Sequence, residues 1–287
     1  MDATVARKTW RTLEPVHGMI YFAPEGPEIY ARAGLTHHRT AYFASRAAPM
    51  GAVPAEVVIA TFYNFHPALV RRSMPAAWSV VSPARIIGAR LDVADVALRR
   101  AFGGALGGDD LAEVATLARQ AAEAACERPE GRPLFAGHAS LEWPEEPHLV
   151  LWHAQTLLRE FRGDGHIAAL VGEGLDGVEA LLTHAASGDV PAAVLRATRA
   201  WPEDQWRAGV ERLRERGFLT GDDEPTFTDA GRALRQRIED RTDELAVAPY
   251  AALGEDGCDR LRALGRDLSR RVVDAGQLQV DPSRYLD

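Results

Sequence analysis

The feature that most constrains this chain is a phrase that it carries twice. VPAEVVIAT runs from Val53 to Thr61 and VPAAVLRAT from Val190 to Thr198, with six of the nine positions identical. The elements around the two copies also follow one order. Each copy comes after a helical pair opened by a Glu-Pro step, Glu14-Pro15 in one half and Glu146-Pro147 in the other. Each leads into a second short helix, then an irregular or β-like segment, then a helix that Asp92 or Asp229 is placed to cap. The pattern predicts two related units packed about a pseudo-twofold axis.

The periodicity fills in the rest as a mainly α chain. Residues 1–13 read as a loosely tied arm. Helices are expected from about Arg39 to Ala48, twice within 53–78 around His66-Pro67, and over 109–126. The β-branched stretch SVVSPARIIGARL, residues 79–91, reads as a small hairpin or wing. Residues 128–147 are rich in Pro and Gly and read as a linker, which divides the chain into units 1–127 and 148–287. In the second unit HLVLWHAQTLLREFRGDGHIAALV is expected to form a helix, a polar elbow at Arg162–His166 and a second helix capped by Asp164.

Charge and composition narrow the classes of function. The net charge is −8 and Lys8 is the only lysine, so nearly all positive charge is arginine. No apolar run reaches the roughly 20 residues needed to cross a bilayer, and no signal-peptide core opens the chain. Two cysteines, Cys126 and Cys258, are too few for a disulfide framework. The expectation is a cytoplasmic protein with reduced thiols and no membrane partner. His148 and His153 are five apart and share no helix face, so no metal site is expected. No Gly-rich phosphate loop or nucleophile motif appears, and no cofactor can be named.

In the second unit, helix 203–217 carries Trp206, Val210 and Leu213 on one stripe. It ends at ERGFL and is followed by the turn TGDDEP and by FTDAGR. This succession resembles the winged helix of MarR-type regulators over about residues 185–275. The phrases Tyr21–Glu25 (YFAPE), Phe62–Pro67 (FYNFHP) and Leu157–His166 (LLREFRGDGH) resemble a family of actinobacterial helix-turn-helix proteins. The arginine, alanine and glycine bias fits such a GC-rich source. The resemblance implies tandem winged-helix units with small β-wings, with the tail helices GEDGCDRLRALGRDLSRRV serving as dimerisation-type elements. It also implies a small-molecule pocket between helical region and winged helix.

Such a pocket would draw on Tyr21, Glu25 and Asn64 from the first half. The second half would supply His153, Thr156, Arg159, Glu160, Arg162, Asp164 and His166 from the elbow. Six of these are ionisable groups crowded within fourteen positions, and buried charges need partners or a polar guest. DNA is a possible partner, yet Asp222, Asp223 and Glu224 stand together at the expected wing tip and would repel phosphates. The first half is more basic, with Arg71, Arg72, Arg85 and Arg90. The leading expectation is a small-molecule-binding protein on a duplicated winged-helix scaffold whose DNA binding is impaired. The alternatives are a ligand-responsive MarR-like regulator and an enzyme of small-molecule metabolism. In the enzyme, His153, Glu160, Asp164 or His166 would serve as general acid or base.

Overall fold

The computed structural model describes residues 1–221 and 224–278. Helix α1 (Ala3–Gly18) begins at Asp2, whose carboxylate accepts from the Thr4 N–H at 2.8 Å. Ala6, Thr9, Leu13 and Val16 recur at helical spacing and are buried. The expected loose arm is therefore an anchored helix, and Glu14-Pro15 lies inside it instead of opening it. A single 3-10 turn (Met19–Tyr21) connects to α2 (Gly26–Ala33), and α3 (His38–Ala47) follows.

Next come α4 (Ala55–Phe62), α5 (Pro67–Ser73), α6 (Ala77–Val80), α7 (Pro83–Phe102) and α8 (Asp109–Cys126). Helix α7 replaces the hairpin expected over 79–91. The Ser82 hydroxyl accepts from the Arg85 N–H, and Pro83 occupies the first turn, where its missing N–H costs nothing. Ile86, Val93 and Ala97 then face the core at helical spacing, so Asp92 falls mid-helix and caps nothing. The expected linker is likewise structured. Within it, α9 (Pro133–Ala139) buries Leu134, Phe135 and His138, and an added Cβ at Gly137 would sit 2.9 Å from the Pro49 carbonyl.

Helix α10 (Pro147–Gly172) runs 26 residues without interruption through Arg162–His166, where the elbow was expected. Glycine weakens a helix but does not break one when packing holds it. Here α1, α7, α8, α9 and α14 (Asp229–Leu245) all pack on α10, and an added Cβ at Gly165 would lie 3.3 Å from Leu245. Between these come α11 (Gly177–Ala186), with an Asp176/Glu179 capping box, α12 (Ala192–Arg199) and α13 (Glu203–Glu215). An antiparallel pair, β1 (Leu219–Thr220) and β2 (Thr226–Phe227), sets Leu219 opposite Phe227. Thr228, and not Asp229, caps α14. Helices α15 (Val247–Ala251) and α16 (Gly254–Asp274) complete the described chain.

The most extensive helix pairings are α8 along α10 and α1 along α16. The larger apolar core runs through α1–α10 and takes in Tyr250, Leu261 and Leu268 from the C-terminal helices. The smaller one joins the end of α10 to α11–α14 and the hairpin. The larger core thus draws on residues from both sides of 128–147. Among the described residues no helix is long and apolar enough to cross a membrane.

Candidate ligand site

The buried stripe of α7 contains one residue that does not belong in a core. Arg90 is only 3% exposed, and its Nε, NH1 and NH2 have no hydrogen-bond partner among the described residues. Its Cζ lies 5.8 Å from the centre of the Tyr21 ring and 5.4 Å from that of Trp152. Two aromatic faces attract a cation, but they do not satisfy five N–H donors. Arg90 borders a cavity of about 340 Å³ lined also by Ile20, Tyr21, Tyr30, Tyr42 and Ser45.

Behind Tyr21 and Tyr42 lies a network of buried charges. Glu160 Oε1 accepts from Arg159 at 3.1 Å and from Arg46 at 3.4 Å, while Glu14 Oε1 accepts from Arg159 at 3.0 Å. Arg46 also donates to the Tyr42 hydroxyl at 2.9 Å and covers the Phe62 ring. Burial would raise the Glu160 carboxyl, but Arg46 and Arg159 outweigh it and hold it at about 2. Burial pushes Glu14 upward against the pull of Arg159. Burial would likewise lower Arg46 and Arg159, and the surrounding tyrosines and carboxylates hold both up. Arg46 and Arg159 are thus paired with Glu160 and Glu14. Arg90, whose charge also acts on Glu160, makes no ion pair or hydrogen bond among the described residues.

His17 links this network to α10. Its Nδ1 is 3.0 Å from Thr156 Oγ1 and its Nε2 is 3.0 Å from the Tyr21 hydroxyl. Burial, reinforced by Arg159, Arg90 and Arg46, holds the ring well below its ordinary pKa and hence neutral.

The expected site residues do not form one cluster. Tyr21, Thr156, Arg159 and Glu160 meet as described. Glu25 instead pairs with Arg100 at 2.7 Å. Asn64 gives its carbonyl to Trp201 Nε1 at 2.9 Å. His153 packs edge-on against Trp143, 4.7 Å between ring centres, and burial lowers it to about 4. Arg162 pairs with Asp243 at 2.7 Å, and His166 Nδ1 is 2.9 Å from Thr242 Oγ1. Asp164 accepts from the Phe135 N–H at 2.9 Å, and burial raises its carboxyl to about 6. These residues share one helix but point to different neighbours. Of the expected basic face Arg90 is buried, while Arg71, Arg72 and Arg85 are exposed, Arg71 pairing with Glu56 and Arg85 donating to the Arg32 carbonyl.

Arg90, His17, Tyr42 and Arg46 are the site residues that sequence reasoning missed. Arg90 stands four residues after Ile86 and three before Val93, a cation inside an apolar stripe. His17–Tyr21 and Tyr42–Arg46 are i,i+4 pairs, the spacing at which helical side chains meet.

A family model described as a helix-turn-helix family matches residues 6–279. No curated protein and no solved structure matches the chain.

Proposed function

Since the chain belongs to this helix-turn-helix family, we propose that it is a small-molecule-binding protein built from two fused winged-helix units, MarR-like in the second half, with DNA reading impaired. Units 1–127 and 148–287 are the two copies. Exchanging them turns the pairing of α1 with α16 into that of α10 with α8, the two most extensive in the molecule. The repeated phrases begin α4 and α12 with Pro54 and Pro191 at the N-caps.

The two helix-turn-helix turns face each other, which favours a ligand role over DNA reading. The His66 N–H donates to the Arg199 carbonyl at 3.0 Å, and the His66 ring packs edge-on against Trp201. Gln205, at the end of α13 where a recognition helix meets base edges, is 3.2 Å from His66. Arg207 is paired with Glu203, and Arg212 with Asp176 and Glu179. Glu224 is exposed beside the hairpin; Asp222 and Asp223 lie outside the described residues.

The observation that carries the reading is Arg90, a buried guanidinium with unpartnered donors at a cavity. The ligand is anionic and its acid group binds Arg90. Melting curves with benzoate, octanoate and the matching amides test this on the unaltered protein and on Arg90→Met. An acid should raise the melting temperature where its amide does not, and Arg90→Met should abolish the effect. Equal effects of acid and amide, or an effect surviving in Arg90→Met, would refute it.

A second reading, a DNA-binding regulator, draws on family membership itself. A mobility shift that weakens with salt would support it, and the docked turns predict none.

A further inference from the structure

Resting on the assignment of Arg90 as an anion anchor, we infer that the cavity selects 2- or 3-hydroxy monocarboxylates, with the ligand hydroxyl donating to Tyr21. The inference follows from tracking protons along one chain of hydrogen bonds. Thr156 has a single hydroxyl proton and gives it to the Trp152 carbonyl at 2.9 Å. Its oxygen then accepts from His17 Nδ1, at 3.0 Å, and we assign the ring proton to Nδ1 on that ground. Nε2 then carries a lone pair and accepts the Tyr21 hydroxyl proton at 3.0 Å. A doubly protonated ring would add a cation beside Arg46, Arg90 and Arg159, and burial opposes it as well.

With its only proton committed to His17, the Tyr21 oxygen offers lone pairs alone. Tyr21 lines the cavity together with Arg90, so a ligand spanning the two must bring an anion to one and a donor to the other. Arg90 offers a single charge without an ion pair among the described residues, which suits a carboxylate better than a dianionic phosphate. Arg90 Cζ is 5.8 Å from the Tyr21 ring centre, so one small ligand can reach both side chains with its hydroxyl close to the acid. The rest of the lining, Ile20, Phe22, Pro24, Pro27 and Leu35, calls for an apolar body.

Calorimetric titration with 3-phenyllactate, 3-phenylpropanoate, 2-methoxy-3-phenylpropanoate and phenyllactamide tests the inference. The hydroxy acid should bind about tenfold more tightly than both the deoxy acid and the methyl ether, since a hydrogen bond of this kind contributes about that much. The ether keeps the acceptor and adds a methyl group but lacks the donor, so binding it as tightly as the hydroxy acid would mean that Tyr21 is donating. In Tyr21→Phe the preference should disappear while 3-phenylpropanoate affinity stays within about threefold. Equal binding of the three acids, or a preference surviving in Tyr21→Phe, would overturn the hydroxyl assignment and leave the anion anchor standing. Binding of the amide as tightly as the hydroxy acid, or of none of the four, would overturn both. Should Tyr21→Phe fail to fold, the ether comparison on the unaltered protein decides.

Discussion

Arg90 and Glu160 are both buried and charged, yet their removal should have opposite consequences. Glu160 pairs with Arg46 and Arg159, so Glu160→Gln leaves Arg46 with no carboxylate and Arg159 with Glu14 alone, and should cost about 3–5 kcal/mol. Arg90 makes no ion pair or hydrogen bond among the described residues, so Arg90→Met should hold or raise stability in urea unfolding. A loss of similar size in Arg90→Met would show that it has a structural partner. Asp164 gives a third expectation. Burial raises its carboxyl from an ordinary 3.8 to about 6, so the folded state disfavours the charged form. The stability tied to its proton is present below pH 4 and is lost as pH rises through 6. Asparagine still accepts from the Phe135 N–H, so Asp164→Asn should stabilise by about 1–3 kcal/mol at pH 7. The gain should vanish near pH 4, and one that persists there would contradict the assigned cause. The sequence displayed these charges but not their partners, because Arg46 and Glu160 meet across 114 positions.

Helix α10 shows where local reading stops. Gly163, Asp164 and Gly165 are turn formers, and propensity alone predicts the elbow. Five packed helices override that preference, and α10 stays continuous. A Cβ at Gly163 would meet only Glu160 Oε2, at 3.5 Å, an ordinary contact. Gly163→Ala should therefore stabilise by about 0.5–1 kcal/mol through the unfolded chain. An elbow that needed the glycine would instead lose stability, and thermal melting separates the two. In α7 the misreading ran the other way, since Val80, Val81, Ile86 and Ile87 favour strands, yet Ser82 and Pro83 start a helix. Both outcomes trace to tertiary burial and capping. The helices in the two like phrases, α4 and α12, and the Asp109–Cys126 helix were legible because their signals are local.

At the scale of the whole molecule, buried neutral histidines set the pH response. Burial lowers His138 to about 3 and His153 and His166 to about 4, and holds His17 well below its ordinary value. An unfolded chain protonates all four near pH 6.5, so the stability they contribute is present above that pH and lost as pH falls toward 4. Asp164 and Glu14, which hold their protons more tightly in the folded state, oppose part of this uptake. The unfolding free energy from urea titration should fall steeply between pH 6.5 and 5, by about 3–4 kcal/mol per unit once both effects act; a flat profile would contradict the buried, neutral state of these rings. The docking of the His66 and Trp201 turns was not legible in the sequence, since it depends on loops 135 positions apart. A crystal structure of the protein soaked in 3-phenyllactate tests the anion site most directly. The expected result is a carboxylate within hydrogen-bond distance of the Arg90 guanidinium, inside the cavity of Tyr21, Tyr30 and Tyr42. An Arg90 that is engaged by a carboxylate of the protein, with no acid bound beside it, would contradict it.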